Sequence, residues 1–270
     1  MKFLFCGDIV GKSGREAVLK YVPLLREKLK LDFVIVNGEN AAQGFGITRK
    51  ICEDLYTSGV DVVTTGNHIW DQKETFAHIS EDPRLIRPLN FPKNTPGKGY
   101  AVIENARGQK LMVVNVMGQL FMDSLDNPFH SVETLLETYK LGQNVHAILV
   151  DIHAEANSEK MAMGHFLDGK VTLVAGTHTH VPTADYVILP NGTAYITDVG
   201  MTGCYQSVIG MDIKIALERF YKKTRSERLF PVEGEGTLCG VIVESDDATG
   251  HAKTITPVRL GGILPQTEIM

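Results

Sequence analysis

The chain has 270 residues, of which 43% are hydrophobic and 22% are charged, and its formal net charge is −5. This length suits one large domain or two small ones, and the composition is that of an ordinary globular protein. The acidic balance argues against an extensive nucleic-acid surface, although it does not exclude a nucleotide or a short RNA end as substrate.

The cysteines and the hydrophobic runs indicate the compartment. The four cysteines, at positions 6, 52, 204 and 239, form no Cys-x-x-Cys pair and have apolar or small neighbours. This pattern predicts buried free thiols in a reducing environment. No apolar run approaches the ~18 residues of a membrane helix, and the N-terminal run is too short for a signal peptide. We therefore expect a cytoplasmic protein that does not enter a membrane.

The first quarter of the chain alternates between strands and helices. Apolar residues recur with helical spacing between 14 and 30, and Thr48 is placed to cap a second helix that ends near Ser58. Short apolar runs predict strands at 2–6, 32–37 and 60–65. This rhythm indicates parallel strands joined by crossover helices.

The rest of the chain adds a second set of elements. The proline-rich stretch 81–99 reads as a loop, and the alternating runs 100–104 and 110–116 read as a hairpin. The same patterns predict helices and strands in turn: helices near 131–142, 156–166 and 209–222, and strands near 146–151, 171–175, 185–189, 193–197, 236–245 and 253–260. We expect one α/β domain over residues 1–270, with two sheets and helices outside them.

Polar residues of the kinds that bind metals stand at the ends of five apolar runs. In chain order they are Asp8, Glu39 with Asn40, Asn67 with His68, His153, and His178 with His180. An open α/β sheet places its ligands at the carboxyl ends of its strands. Carboxylate, amide and imidazole groups suit hard or borderline divalent metals, and no cysteine stands among them. The pattern favours a metal-dependent hydrolase.

The number of candidate ligands predicts two metals rather than one. A single ion takes about four to six ligands. His178 and His180 are one residue apart, so in extended structure both rings would point into one cavity. Glu39 lies between the other ligands in chain order and is the natural bridge. Two metals about 3.5–4 Å apart suit the displacement of a phosphoester.

Each of these residues also has an ordinary structural interpretation. A single histidine after a strand is more often a hydrogen-bonded surface residue than a ligand, and Gly38 and Gly66 can simply be turn residues. The joint pattern is what favours a metal centre. The other five histidines lack such surroundings and receive the structural interpretation: His78, His130, His146, His165 and His251.

A rival motif lies at the N-terminus. The first strand runs into residues 7–13 (Gly-Asp-Ile-Val-Gly-Lys-Ser), which is one residue short of a phosphate-binding P-loop. A P-loop nucleotidase or switch is therefore an alternative, but it leaves the later histidines unexplained. Gly11 and Gly14 can also open a helix whose N-terminal amides approach a substrate phosphate.

The order of the motifs resembles the calcineurin-like metallophosphoesterase superfamily. The chain carries Gly66-Asn67-His68, a single His153 and the His178-x-His180 pair in that family's order. It departs from the pattern at three positions: Val10 replaces a ligand histidine, Glu39 replaces an aspartate, and Thr177 is inserted before His178. These departures, together with residues 38–48, 167–171 and 197–203, resemble the YmdB-like bacterial phosphodiesterases along essentially the whole chain.

The resemblance implies a four-layer α-β-β-α sandwich and a two-metal phosphodiesterase that hydrolyses cyclic nucleotides, 2′,3′-cyclic ones first and 3′,5′-cyclic ones second. The metals implied are iron or manganese, with zinc or magnesium as alternatives. Metal one would take Asp8, Glu39, Asn40 and His180, with Asn40 in place of the missing histidine. Metal two would take Glu39, Asn67, His153 and His178.

Roles for the remaining candidates follow from the same resemblance. A hydroxide between the metals would attack phosphorus, and His68 would donate a proton to the leaving ribose oxygen. The ordinary interpretation of His68 is a hydrogen bond to a ligand. Phe45 would stack on a base, or alternatively fill the core or contact a second subunit of a homo-oligomer. A metal-stabilised regulatory protein without significant catalysis is the third functional class.

Overall fold

The computed structural model describes residues 1–223 and 227–268. Helices and strands alternate along the described chain, and their bounds in chain order are β1 (Lys2–Cys6), α1 (Gly11–Leu29), β2 (Phe33–Asn37), α2 (Arg49–Thr57), β3 (Val62–Thr64), α3 (Thr75–His78), β4 (Tyr100–Glu104), β5 (Lys110–Met117), α4 (Pro128–Thr138), β6 (Ala147–His153), α5 (Asn157–Phe166), β7 (Leu173–Thr177), β8 (Val187–Ile188), β9 (Ala194–Ile196), α6 (Ile213–Tyr221), β10 (Leu238–Ser245) and β11 (Ala252–Leu260).

The strands form two mixed sheets. The first has the order β11-β10-β1-β2-β3, in which β1, β2 and β3 are parallel and β10 and β11 are antiparallel to their neighbours. The second has the order β4-β5-β6-β7-β9-β8, in which β5, β6, β7 and β9 are parallel. The hairpins β4–β5 and β8–β9 are antiparallel, as their turn residues predict.

Alternating side chains place three hydrophobic cores between four layers. In β1, Phe3 and Phe5 point between the two sheets, while Leu4 and Cys6 point to the layer of α1 and α2. In β6, Leu149 belongs to the core between the sheets, and the neighbouring isoleucine and valine pack against α4 and α5. Strands covered on both faces are apolar throughout, as parallel strands require. The predicted four-layer α-β-β-α sandwich is confirmed.

Side-chain caps move the starts of two predicted helices. Helix α4 begins at Pro128 rather than near 131, because the Asn127 side chain accepts hydrogen bonds from two backbone N–H groups of the first turn. Helix α6 begins at Ile213 rather than near 209, because Asp212 accepts from a first-turn N–H at 2.9 Å. Both caps are ordinary Asn and Asp caps, and Pro128 follows its cap at the first helical position.

Some of the other sequence expectations agree with the structure and others differ from it. All four cysteines are buried free thiols, as predicted. The short helix α3 within 75–78 was not predicted, and strand β8 is reduced to Val187–Ile188 from the expected 185–189. Among the described residues, no helix is both long and apolar enough to span a bilayer.

Candidate metal centre

The seven predicted metal ligands lie at one edge of the two sheets. Each follows or ends a strand: Asp8 after β1, Glu39 and Asn40 after β2, Asn67 after β3, His153 at the end of β6, and His178 and His180 after β7. The first three strands are parallel within the first sheet, and the last two are parallel within the second. Their carboxyl ends therefore meet where the two sheets face each other.

Three of these side chains converge on one ring nitrogen of His153. Its Nε2 lies 3.1 Å from Glu39 Oε1, 3.0 Å from Asn67 Oδ1 and 3.1 Å from His178 Nδ1. Glu39, His153 and His178 each offer a ligand atom, and these atoms all lie within 4.8 Å of one another. Carboxylate, amide oxygen and two imidazoles gathered this closely form a donor set that suits a divalent metal.

The other predicted ligands contain polar atoms that no protein group satisfies. Asp8 Oδ1 and Asn40 Oδ1 are buried and have no hydrogen-bond partner, although Asn40 Nδ2 donates to the Gly44 carbonyl at 3.0 Å. Buried polar atoms without partners are rare and call for an explanation such as an ion. His180 Nδ1 donates to the Ile209 carbonyl at 2.8 Å, which leaves Nε2 free as a ligand. These atoms fit a second cation.

The electrostatics of the cluster favour a positive charge inside it. Burial raises the pKa of Asp8. Burial would lower the pKa of His153, but the charges of Glu39 and Asp8 outweigh it and raise that pKa to about 9. Burial and the charge of His153 lower the pKa of His178 to about 3. Without a metal, the buried carboxylates therefore hold a proton on His153, which a bound metal would displace.

The two histidines after β7 do not share a face in the way the sequence predicts. Both have left-handed backbones, with φ of 94° at His178 and 66° at His180, so this segment is not extended. Residues other than glycine rarely adopt such angles, which cluster at functional sites. Thr179, between them, is held by Asp198, which accepts from its backbone N–H at 3.1 Å and its hydroxyl at 2.6 Å. Both rings still line the same cavity.

A cavity of about 370 Å³ opens beside the cluster. Its walls combine predicted ligands with apolar residues, and its lining consists of Glu39, Asn40, Phe45, His68, Glu155, His178, Thr179, His180, Ile209, Met211 and Leu229. Phe45 thus lies in the cavity wall, with its ring centroid 5.1 Å from that of His68 in an edge-on arrangement. The cavity lining therefore combines candidate ligands with apolar surface.

His68 reaches this cavity through its side chain and the metal ligands through its backbone. Its N–H donates to Glu39 Oε2 at 3.1 Å. Its ring Nδ1 lies 2.8 Å from Asp71 Oδ2, and 29% of the side chain is exposed. Nε2 is therefore the ring nitrogen available to a molecule in the cavity. No contact makes the His68 ring part of the ligand cluster among the described residues.

Sequence inspection missed two acidic residues that hold site histidines. Asp71 binds His68, and Glu155 Oε2 lies 3.2 Å from His178 Nε2, on the far side of that ring from His153. Carboxylates that accept from the outer nitrogen of a ligand histidine orient the ring. Both acids stand within three residues of a strand-end motif, and that proximity is the one signal in the sequence that would have indicated them.

The P-loop alternative finds no support in the structure. Helix α1 starts at Gly11 rather than at 14, and the N–H of Gly11 donates to the Asn40 carbonyl at 3.0 Å. The N–H of Gly14 donates to the Val10 carbonyl at 3.2 Å. Lys12, which would bind phosphate in a P-loop, forms an exposed ion pair with Glu233 at 3.3 Å. The amides of Ile9, Val10, Gly11 and Gly14 all donate to protein carbonyls and are therefore not available to a phosphate.

Comparisons with known proteins match the sequence family and the fold. The profile of the YmdB-like protein family matches residues 4–258. A 2′,3′-cyclic-nucleotide 2′-phosphodiesterase of Bacillus subtilis is 49% identical over 260 residues, which cover 96% of this chain and 97% of that protein.

Two crystal structures are similar along nearly the whole chain. A hypothetical protein from Thermus thermophilus shares 42% identity at a TM-score of 0.90, and the match covers 97% of this chain and 100% of the other. A novel phosphatase from Mycoplasma pneumoniae shares 36% identity at a TM-score of 0.89, and the match covers 97% of this chain and 93% of the other.

Proposed function

Because the chain belongs to the YmdB-like protein family, we propose that it is a metal-dependent phosphodiesterase that hydrolyses 2′,3′-cyclic nucleotides. The activity named for the Bacillus subtilis relative supports this substrate class. The observation that carries the proposal is the convergence of Glu39, Asn67 and His178 on Nε2 of His153, beside a cavity large enough for a ligand. Such a cluster suits a reaction at phosphorus.

Two metal positions account for all seven candidate ligands. Asp8, Glu39, Asn40 and His180 would hold metal one, and the unpartnered oxygens of Asp8 and Asn40 support this set. Glu39, Asn67, His153 and His178 would hold metal two. Glu39 contributes to both sets and is the proposed bridge. Oxygen and nitrogen ligands suit iron or manganese, and also zinc or magnesium. When bound, two such metals supply a water activated at neutral pH and neutralise charge at the phosphate.

Within this arrangement, His68 is the proposed catalytic residue. Asp71 accepts from Nδ1–H, and in the doubly protonated ring Nε2 carries the second proton, which would pass to the ribose oxygen that departs. The backbone bond from His68 to Glu39 keeps the ring beside the ligands. A proton delivered to the leaving oxygen is needed most when the leaving group is a poor one, as an alkoxide is.

The apolar wall of the cavity suits a nucleotide base. Phe45, Met211 and Leu229 are among the apolar residues that line the cavity together with the ligand residues. A base in this cavity would pack against the aromatic ring of Phe45 and the apolar side chains beside it. Stacking and apolar contacts of this kind bind any base, because every base has an aromatic face. We propose that Phe45 contacts the base, and the edge-on contact with His68 places it next to the reacting group.

Metal analysis and a substrate screen test the proposal together. We expect elemental analysis of reconstituted protein to give close to two transition metals per chain, because seven ligands exceed the need of one ion. With manganese or iron, the enzyme should hydrolyse 2′,3′-cyclic nucleotides faster than 3′,5′-cyclic nucleotides and model diesters. Glu39→Gln should lose the most metal of any ligand variant. Two bound metals with no turnover of any diester would instead favour the metal-stabilised regulatory alternative.

A further inference from the structure

Thr177, the residue that departs from the superfamily pattern before His178, lies between a buried carboxylate and a candidate ligand. It ends β7 and is fully buried. Its hydroxyl Oγ1 is 2.7 Å from Asp151 Oδ1 and 2.9 Å from His153 Nδ1. Asp151 is also fully buried and lies two residues before His153 on β6. A chain of two hydrogen bonds therefore runs from Asp151 to the outer nitrogen of His153.

The donors around Asp151 determine the direction of this chain. Besides Thr177, its carboxylate accepts from Thr64 Oγ1 at 2.6 Å and from Asn37 Nδ2 at 3.0 Å, both at Oδ2. Thr64 and Asn37 both donate to this side chain, as they would to a carboxylate, and a carboxylate has no hydrogen of its own and can only accept. The single hydroxyl hydrogen of Thr177 therefore points to Asp151, and its oxygen can only accept from His153. Nδ1 of His153 must then carry the hydrogen.

We propose that Asp151 and Thr177 are positioning residues that hold His153 as the tautomer protonated on Nδ1. This role rests on the proposed function, in which His153 is a metal ligand through Nε2. With the hydrogen on Nδ1, the lone pair of Nε2 faces Glu39, Asn67 and His178, which is what a metal requires. The inserted threonine thus supplies the outer partner that ligand histidines generally have.

Three substitutions separate this role from simple packing. Thr177→Val keeps the shape but removes the acceptor for Nδ1–H. Thr177→Ser keeps the hydroxyl. Asp151→Asn reverses the chain, because the donors Thr64 and Asn37 hold the amide oxygen and turn the amide NH₂ toward Thr177. Thr177 would then have to donate to His153 and place the lone pair on the wrong nitrogen.

The test is a titration of metal-stripped full-length protein with Mn²⁺, followed for the parent and each variant. We expect the dissociation constant of the site that contains His153 to rise about 10–100-fold in Thr177→Val, at least as much in Asp151→Asn, and not at all in Thr177→Ser. An unchanged constant in Thr177→Val, or a loss in Thr177→Ser equal to that in Thr177→Val, would overturn the proposal.

Thr172→Val is the matched control. Thr172 is equally buried and also both accepts and donates, from the Ile148 N–H at 3.0 Å and to the Gly250 carbonyl at 2.7 Å, but it contacts none of the proposed ligands. The Thr172→Val variant should have a lower melting temperature than the parent and the same affinity for Mn²⁺. A loss of affinity as large as that of Thr177→Val would mean that buried-threonine packing explains the result.

A second readout separates this inference from the proposed function. In the ¹⁵N NMR spectrum of the Zn²⁺-loaded protein, His153 should show a protonated Nδ1, and Thr177→Ser should keep that signal. If the parent binds metal and shows this tautomer but hydrolyses no diester, the inference stands and the proposed function falls. A protonated Nε2 in the neutral ring, with or without metal, would refute the inference even in an active enzyme.

Discussion

His68 contacts the proposed bridge through its backbone and Asp71 through its ring, and this separates catalysis from metal binding. Its backbone N–H bonds the proposed bridge Glu39, and its ring bonds Asp71. Removal of the ring leaves the backbone bond in place. The metal ligands can therefore keep their arrangement in a variant that lacks the proposed proton donor.

His68→Ala should keep both metals and lose roughly 10²–10⁴-fold in turnover of cyclic nucleotides, the usual effect of removing a positioned acid. The loss should shrink for nitrophenyl esters, because nitrophenolate leaves without a proton. Turnover numbers across leaving groups of different pKa, together with elemental analysis, measure both effects. His130→Ala, on α4 with 79% of its side chain exposed, is the control. Equal losses on good and poor leaving groups would indicate charge stabilisation instead.

Asn40 presents its two amide atoms to different surroundings. Oδ1 is buried without a partner, while Nδ2 bonds the Gly44 carbonyl. Asn40→Ala should therefore lose metal one. Asn40→Asp should retain the metal through its charge but lose thermal stability, because an oxygen would face the Gly44 carbonyl. Metal content and melting temperature of both variants test this. Full metal occupancy in Asn40→Ala would remove Asn40 from the ligand set.

At the scale of single elements, the end of β3 approaches the ligands so closely that it leaves no room for a side chain. A Cβ at Gly66 would lie 2.3 Å from both Glu39 Oε2 and His153 Nε2. These are far inside van der Waals contact, so one of the ligands would have to move. The glycine is needed because the backbone itself approaches the cluster, which is a more specific reason than the turn suggested by sequence.

Gly66→Ala should abolish binding of metal two and activity, while the four-layer fold remains. The expected readouts are metal content, turnover and the far-ultraviolet circular dichroism spectrum. Gly203→Ala is the control, because a Cβ there would meet its nearest neighbour, Val10 Cβ, at 3.3 Å and no ligand. Normal metal content in Gly66→Ala would show that the ligands adapt to the methyl group, against the packing described here.

At the scale of the whole molecule, a buried ion pair joins α5 to the segment after β9. Lys160 Nζ lies 2.8 Å from Asp198 Oδ2, and both side chains are fully buried. The same carboxylate holds Thr179 between the two histidines and accepts from the Gly200 N–H at 2.8 Å. Asp198 therefore contacts both helix α5, through Lys160, and the loop that carries His178 and His180, through Thr179.

Lys160→Met should lower the free energy of unfolding by about 3–5 kcal/mol, because it leaves the Asp198 charge buried without its counter-ion. Urea unfolding measures the loss, and a lower metal affinity should accompany it. Lys50→Met, which breaks the exposed pair with Asp54, should cost less than about 1 kcal/mol. Adding Asp198→Asn to Lys160→Met should recover part of the stability. A cost no larger than that of Lys50→Met would contradict this account.

The sequence by itself determined the features that depend on local chemistry. Residue type and order identified seven candidate ligands and His68, and the alternation of strands with helices along the chain indicated parallel strands with helices outside the sheets. Resemblance to a family supplied the four-layer arrangement. The ligand roles and the single-domain organisation stay predictions.

Only the tertiary structure decided which groups meet and through which atoms. The left-handed backbone of His178 and His180, the unpartnered oxygen of Asn40 and the place of Thr177 between Asp151 and His153 all depend on contacts between distant segments. Helix starts shifted for the related reason that a cap is defined by a hydrogen bond and not by hydrophobic spacing. Periodicity encodes which face a residue takes, whereas the distance between two strand ends follows from how the two sheets pack.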